Sequence, residues 1–277
     1  MFEEIVYILK GYGATLVWND GMAQPHTFEW KHGAVFALPP NVWYKHTNLQ
    51  GGESARFCAV TSAPVVINLF HNDDFVFAND FIFTDRFNGD PSHFDGSGIA
   101  LPGRIWESNF IPDVVSFPLQ AWPERGGGGS NAFLEIGNGT LTAHISEFQP
   151  GTYKKAHRHG PGAHVIILSG EGYSLMWPEG SEKRRFDWKP GSVIVPPELW
   201  FHQHFNTGPT PARYLALRWG SQRFPLLRSY GIDRTVKSGG AQIEYEDEDP
   251  DIREMYEASL EMNKVQSRMN GLVSRNG

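Results

Sequence analysis

Ala163-His164-Val165-Ile166-Ile167-Leu168-Ser169-Gly170-Glu171-Gly172 is a strand-like run of β-branched and Leu residues ended by Gly-x-Gly, and the chain carries this form twice. Its other copy is Glu4-Ile5-Val6-Tyr7-Ile8-Leu9-Lys10-Gly11-Tyr12-Gly13. Each is followed by a second strand run that reaches a tryptophan, Trp177 in one case and Trp18 in the other. Further on, Asp187-Trp188-Lys189-Pro190-Gly191-Ser192-Val193 answers Glu29-Trp30-Lys31-His32-Gly33-Ala34-Val35, and both lead into a Pro-Pro pair, at 196–197 and 39–40. Arg213-Tyr214-Leu215-Ala216-Leu217 answers Arg56-Phe57-Cys58-Ala59-Val60. Self-similarity on this scale means one supersecondary unit used twice. Short strand runs between Gly and Pro turns, with no convincing helix between them, predict an all-β chain of antiparallel barrels or sandwiches.

Composition agrees with a packed β protein. Of 277 residues, 40% are hydrophobic and 20% charged, enough to bury a core and too apolar for disorder. A net charge of −7 argues against a nucleic-acid backbone or an anionic membrane surface as partner. Cys58 is the single cysteine, which excludes an intrachain disulfide and a cysteine-based zinc site. There is no run of eighteen apolar residues, and Met1-Phe2-Glu3-Glu4 lacks the basic start of a signal peptide, so a cytoplasmic location is expected.

The repeat divides the chain into a first β unit over 1–70 and a second over 126–236. Residues 71–125, rich in Phe, Asp, Asn and Pro, are read as an ordered connection, too aromatic for a disordered linker. Gly126 to Gly129 forms a joint before the second unit, with no Gly-Lys-Ser/Thr after it to make a phosphate loop. In the tail, 237–277, an acidic run from Glu244 to Asp251 precedes a weak helical pattern over Ile252 to Met262, read as a solvated terminal helix.

Six of the eleven histidines fall between His144 and His204. His157 and His159, two apart on a predicted strand, point to one face, and His202, His204 and Asn206 alternate in the same way about forty residues on. Two near-adjacent imidazoles and a third from a neighbouring strand make a facial set of neutral ligands. Such a set suits iron, copper, nickel and zinc alike. Arg158, between two inward histidines, should point outward and form a solvated basic edge with Lys154 and Lys155. Tyr153 and Trp177 are candidates either for the pocket wall or for the core.

Gly151-x5-His157-x-His159 is similar to the first motif of the cupin superfamily, and Gly191-x5-Pro197-x4-His202-x3-Asn206 to the second. The resemblance implies a bicupin: two cupin barrels of the double-stranded β-helix or jelly-roll type, plus a short C-terminal helix. Most metal cupins carry a Glu after the second His with three or four residues in between; here those positions hold Ala163 and His164. Ala cannot ligate, and strand alternation running back from Gly170 turns His164 away from Ala163's face. His-Arg-His followed by Ala in place of Glu resembles the gentisate and hydroxynaphthoate ring-cleaving dioxygenases, bicupins with a three-His ferrous iron.

That resemblance implies His157, His159 and His202 as metal ligands, with Fe(II) as the metal and Mn, Ni or Zn as alternatives. It implies dioxygen-dependent cleavage of a C–C bond in a small aromatic or diketone substrate, by a homo-oligomeric enzyme. His204 is the candidate acid–base or substrate-holding group, against the alternative of a hydrogen-bonded core histidine. Arg218 is the candidate partner of a substrate carboxylate, against the alternative of a barrel-mouth salt bridge. Two further functions stay open, a Lewis-acid metal cupin and a non-catalytic ligand-binding cupin. In the first unit the ungapped repeat sets Tyr44 against His202, His46 against His204 and Asn48 against Asn206, with Glu4 at the place of the cupin Glu. The paired histidines would then fall just before Met1, so the first barrel is expected to be N-terminally incomplete and without a metal.

Overall fold

The computed structural model describes residues 1–160, 162–224 and 234–270. The chain folds into two compact units: residues 1–117 with 133–143 and 220–225, and residues 118–132, 144–219 and 226–277. The first unit contains β1 (Glu4–Lys10), β2 (Tyr12–Trp18), β3 (His26–Lys31), β4 (Val35–Leu38), β5 (Trp43–Asn48) and β6 (Arg56–Thr61). After them come α1 (Ala63–Phe70), α2 (Asp73–Phe77), β7 (Ile99–Leu101), β8 (Ile105–Ser108) and β9 (Phe110–Ile111). Beyond β10 (Gln120–Ala121), β11 (Ser130–Ile136) and β12 (Leu141–Phe148) divide their residues between the units. The second unit continues with β13 (Ala163–Ser169), β14 (Gly172–Trp177), β15 (Arg184–Trp188), β16 (Val193–Ile194), β17 (Phe201–Asn206), β18 (Ala212–Trp219) and α3 (Pro250–Asn263).

The repeat seen in the sequence is a repeat of strand pairing. In the first unit β1 pairs antiparallel with β4 and β6, and β2 with β3 and β5. In the second, β13 pairs with β16 and β18, and β14 with β15 and β17. Even the irregularities coincide: the β1–β6 register slips between Ile8 and Lys10, and the β13–β18 register between Ile167 and Ser169. The turn after each first strand demands glycine. Gly11 and Gly170 both have positive φ, 103° and 79°. A Cβ on either would lie under 3 Å from the backbone of Ala55 or Ala212.

Alternation fills each interior. Val6, Ile8, Val17, Phe28, Trp30, Phe36 and Leu38 form the first core, and Phe87, Phe94 and Phe110 from the aromatic stretch after β6 are buried in it, with Phe28 stacked on Phe94 at 4.1 Å. In the second unit Ala163, Val165, Ile167, Met176, Trp188, Ala212, Tyr214 and Ala216 share an inner cluster with Phe148. A further cluster, Tyr153, Tyr173, Leu175, Trp177 and Phe205, packs against Ile252, Tyr256 and Leu260 of α3. Tyr153 and Trp177 are thus core aromatics. The terminal helix is not a solvated one: Asp249 caps it, Pro250 opens it, and Tyr256 is fully buried with its hydroxyl donating to Asn206 O at 2.8 Å.

Candidate metal centre

The segment before β13 is laid along β17 by backbone bonds. Asn206 N donates to Thr152 O, Lys154 N to His204 O, and His157 and His202 exchange a reciprocal pair at 3.0 and 2.8 Å. Gly151 starts this run at φ 70°, where a Cβ would meet Gln266 O at 2.1 Å. The expected strand here is instead a pair of isolated bridges, Tyr153 opposite Phe205 and His157 opposite His202. Four steps on one side answer three on the other, so one extra residue is accommodated as in a β-bulge.

That bulge changes which side chains enter the barrel. Strict alternation back from His157 would turn Lys155 and Tyr153 inward and Lys154 outward. In the structure Tyr153 joins the outer cluster, Lys155 pairs with Glu244, and Lys154 is buried inside against Phe148 and Tyr214. Lys154 and Lys155 are therefore not a solvated basic edge, being 2% and 7% exposed. Arg158 does face outward, where it pairs with Glu179 at 2.7 Å and lies over Phe201.

His157, His159 and His202 are brought together: one ring nitrogen from each lies within 4.8 Å of the others. The His157 and His202 ring centroids are 4.1 Å apart, and those of His159 and His202 4.9 Å. His202 Nδ1 lies 3.2 Å from Trp200 O. A carbonyl only accepts, so Nδ1 carries the proton and Nε2 presents its lone pair, the usual second contact of a ligating imidazole. Burial, followed by the Arg125 charge at His157 and by the neighbouring imidazoles at His202, holds both pKa values well below the ordinary histidine range. Three mostly buried imidazoles converging on one point fit a transition metal.

Around them, Ala163 lies on the inner face and His164 is exposed on the other, so neither supplies a carboxylate or a fourth imidazole. Arg218 stands opposite Ala163 in register, in phase with Ala216 and Tyr214 of the inner cluster, and its charge acts on the half-buried His144. His204 is buried at 5.7 Å between ring centroids from His202, with Nδ1 at 2.7 Å from Ser174 Oγ. Ser174 also accepts from Trp188 Nε1 at 3.0 Å. Burial and then the charges of Lys154 and Arg125 push the His204 pKa down to about 3. Sequence reasoning missed the inward Lys154, Ser146, Tyr214 and His144. For the last three, alternation with Phe148 on β12 and Ala216 on β18 was the available signal; for Lys154 the bulge hid it.

The first unit repeats the Trp–hydroxyl–His chain. Trp30 Nε1 donates to Thr15 Oγ1 at 2.8 Å, and Thr15 Oγ1 lies 2.8 Å from His46 Nδ1. Register then sets Tyr44 opposite Val17 where His202 lies opposite Met176, the ungapped match of the repeat. Among the described residues no second cluster of potential metal ligands accompanies the His157–His159–His202 group.

No protein-family model matches this sequence, and no curated protein matches it. Solved structures do. The oxalate decarboxylase of Lactobacillus farciminis, in a formate complex, aligns over 78% of this chain and 70% of its own, at 14% identity and a TM-score of 0.50. The oxalate decarboxylase of Bacillus subtilis at pH 4.6 aligns over 78% of this chain and 62% of its own, at 14% identity and a TM-score of 0.49. At such identity the likeness is one of fold. The chain has an all-β fold like that of these two-cupin structures, with a short C-terminal helix.

Proposed function

We propose that the second unit is a non-haem iron dioxygenase site that cleaves a C–C bond of a small aromatic, gentisate-like substrate or of a diketone. The observation that carries this reading is the ligand set: three converging histidines and no carboxylate, with Ala163 and an outward His164 where a carboxylate ligand would stand. When bound, Fe(II) would supply a +2 charge and open positions for a bidentate oxygen ligand and dioxygen. His157, His159 and His202 would hold it, and because none is anionic, the charge is left for an anionic substrate to balance.

Arg218, on the inner face, adds a cation on the same side of the sheet and would attract the substrate's carboxylate. His204 would hold a proton toward the interior. With Ser174, which accepts from Trp188, donating its own proton to His204 Nδ1, the proton of neutral His204 would stand on Nε2. His204 would thus donate a hydrogen bond to a substrate oxygen, and because burial keeps the ring neutral it acts as a donor and not as an acid.

The test is oxygen uptake by iron-loaded protein presented with gentisate, hydroxynaphthoates and β-diketones. Uptake in step with ring or chain cleavage is expected. His204→Ala should lower turnover by about a hundred-fold with little change in KM, while Arg218→Ala should raise KM by about ten- to hundred-fold. Equal turnover under strict anaerobiosis would replace this reading with a Lewis-acid one using Mn, Ni or Zn, which three imidazoles accommodate equally well. No turnover with any metal would leave a ligand-binding cupin.

A further inference from the structure

Lys154 and Lys155 are adjacent and both buried, yet they meet opposite surroundings. Lys155 pairs with Glu244. The Lys154 ammonium donates to Ser146 Oγ and, at 3.2 Å, to Tyr214 Oη, and it lies 5.2 and 4.9 Å from the ring centroids of Phe148 and Tyr214. Every one of these partners is uncharged, and no carboxylate among the described residues reaches it. An ammonium has three protons to give, and two hydroxyls take two of them. A buried cation with neutral partners and a donor to spare is costly unless an anion comes to it. Burial accordingly lowers the Lys154 pKa.

Its position ties it to the metal centre. The Lys154 charge acts on His204 and on His144, and both of these also feel His159. His144 and His204 each pack against Tyr214, at 5.9 and 5.5 Å between ring centroids, the same ring whose hydroxyl receives the Lys154 ammonium. Lys154, Tyr214, His204 and the three-His group therefore line one interior.

We propose that Lys154, positioned by Ser146 and Tyr214, is a carboxylate-binding group of this interior, so that the natural ligand is a small organic anion with a carboxylate remote from its metal-chelating oxygens. This deepens the reading above and rests on it for the chelating end only; the remote carboxylate is seated on Lys154, while the Arg218 charge on the same inner face would draw the anion in.

Catechol and 3,4-dihydroxybenzoate test it, since they chelate through the same two oxygens and differ in a remote carboxylate. Calorimetry with each is run on the full chain, both zinc-loaded and metal-free. Wild type should bind 3,4-dihydroxybenzoate about ten- to hundred-fold more tightly than catechol, the size of a charge-assisted contact. Lys154→Met and Lys154→Gln should bring the ratio to about one, with catechol affinity and zinc content kept. Gln retains hydrogen bonds to Ser146 and Tyr214, so the test survives a Met variant that fails to fold. A wild-type ratio near one in both forms would overturn the proposal, as would failure to bind 3,4-dihydroxybenzoate in either. A ratio lost in Arg218→Ala but kept in both Lys154 variants would also overturn it and give the carboxylate to Arg218. If wild type retains no zinc but the metal-free ratio persists and disappears with Lys154, the metal reading fails and the anion site stands.

Discussion

At the scale of the residue, the centre depends on imidazoles kept neutral by burial and turned by single contacts. Trp200 O sets the proton of His202, and Ser174, itself held by Trp188, holds the His204 ring at Nδ1. His159→Ala should reduce bound metal from near one per chain to a small fraction, because the two remaining imidazoles of the group are a poor chelate. Elemental analysis after gel filtration checks this, and full retention of metal would remove His159 from the ligand set. The convergence of His157, His159 and His202 was legible because their spacing survives a local irregularity. Lys154 was not, since its direction depends on one extra residue between two bridges, and a bulge leaves no mark in a pattern of residue types.

At the scale of the element, α3 is part of the second unit's wall. Tyr256 is fully buried among Tyr153, Phe205 and Ile252, and its hydroxyl closes on a β17 carbonyl. Tyr256→Ala should cost about 3–5 kcal/mol, the range of large aromatic truncations in cores, and Tyr256→Phe about 1 kcal/mol for the hydrogen bond alone. Urea unfolding midpoints measure both, and a Tyr256→Ala loss below about 1 kcal/mol would mean that the helix is dispensable. The weak helical pattern of 252–262 showed that a helix forms. It could not show what the helix covers, because its apolar stripe is short and its partners, Tyr153 and Phe205, lie far away in the chain.

At the scale of the whole molecule, acid should act through histidines whose pKa burial lowers, among them His93 of the first unit, pushed down to about 4, and four of the second. His144, His157, His202 and His204 all titrate below the ordinary histidine range in the folded chain, burial being the first cause in each. In the unfolded chain they take up protons near pH 6.5. As the pH falls below that value the unfolded state binds protons that the folded state refuses. Stability should then drop by up to about 1.4 kcal/mol per pH unit for each such histidine. Burial raises the Glu248 pKa and opposes this in part. Metal-free protein should therefore show urea midpoints that decline from pH 7.5 to pH 5; a flat profile would mean that these histidines are hydrated. By itself the sequence determined the repeated β unit, the all-β class and the histidine spacings, since strand alternation and Gly-Pro turns are local and recur at a fixed interval. It took the tertiary structure to decide that Lys154 turns inward among uncharged partners, that α3 seals the second unit's wall, and that the 71–125 stretch lends Phe87, Phe94 and Phe110 to the first core. Those outcomes depend on partners distant in the chain and on one bulge, and no local pattern of residue types encodes either.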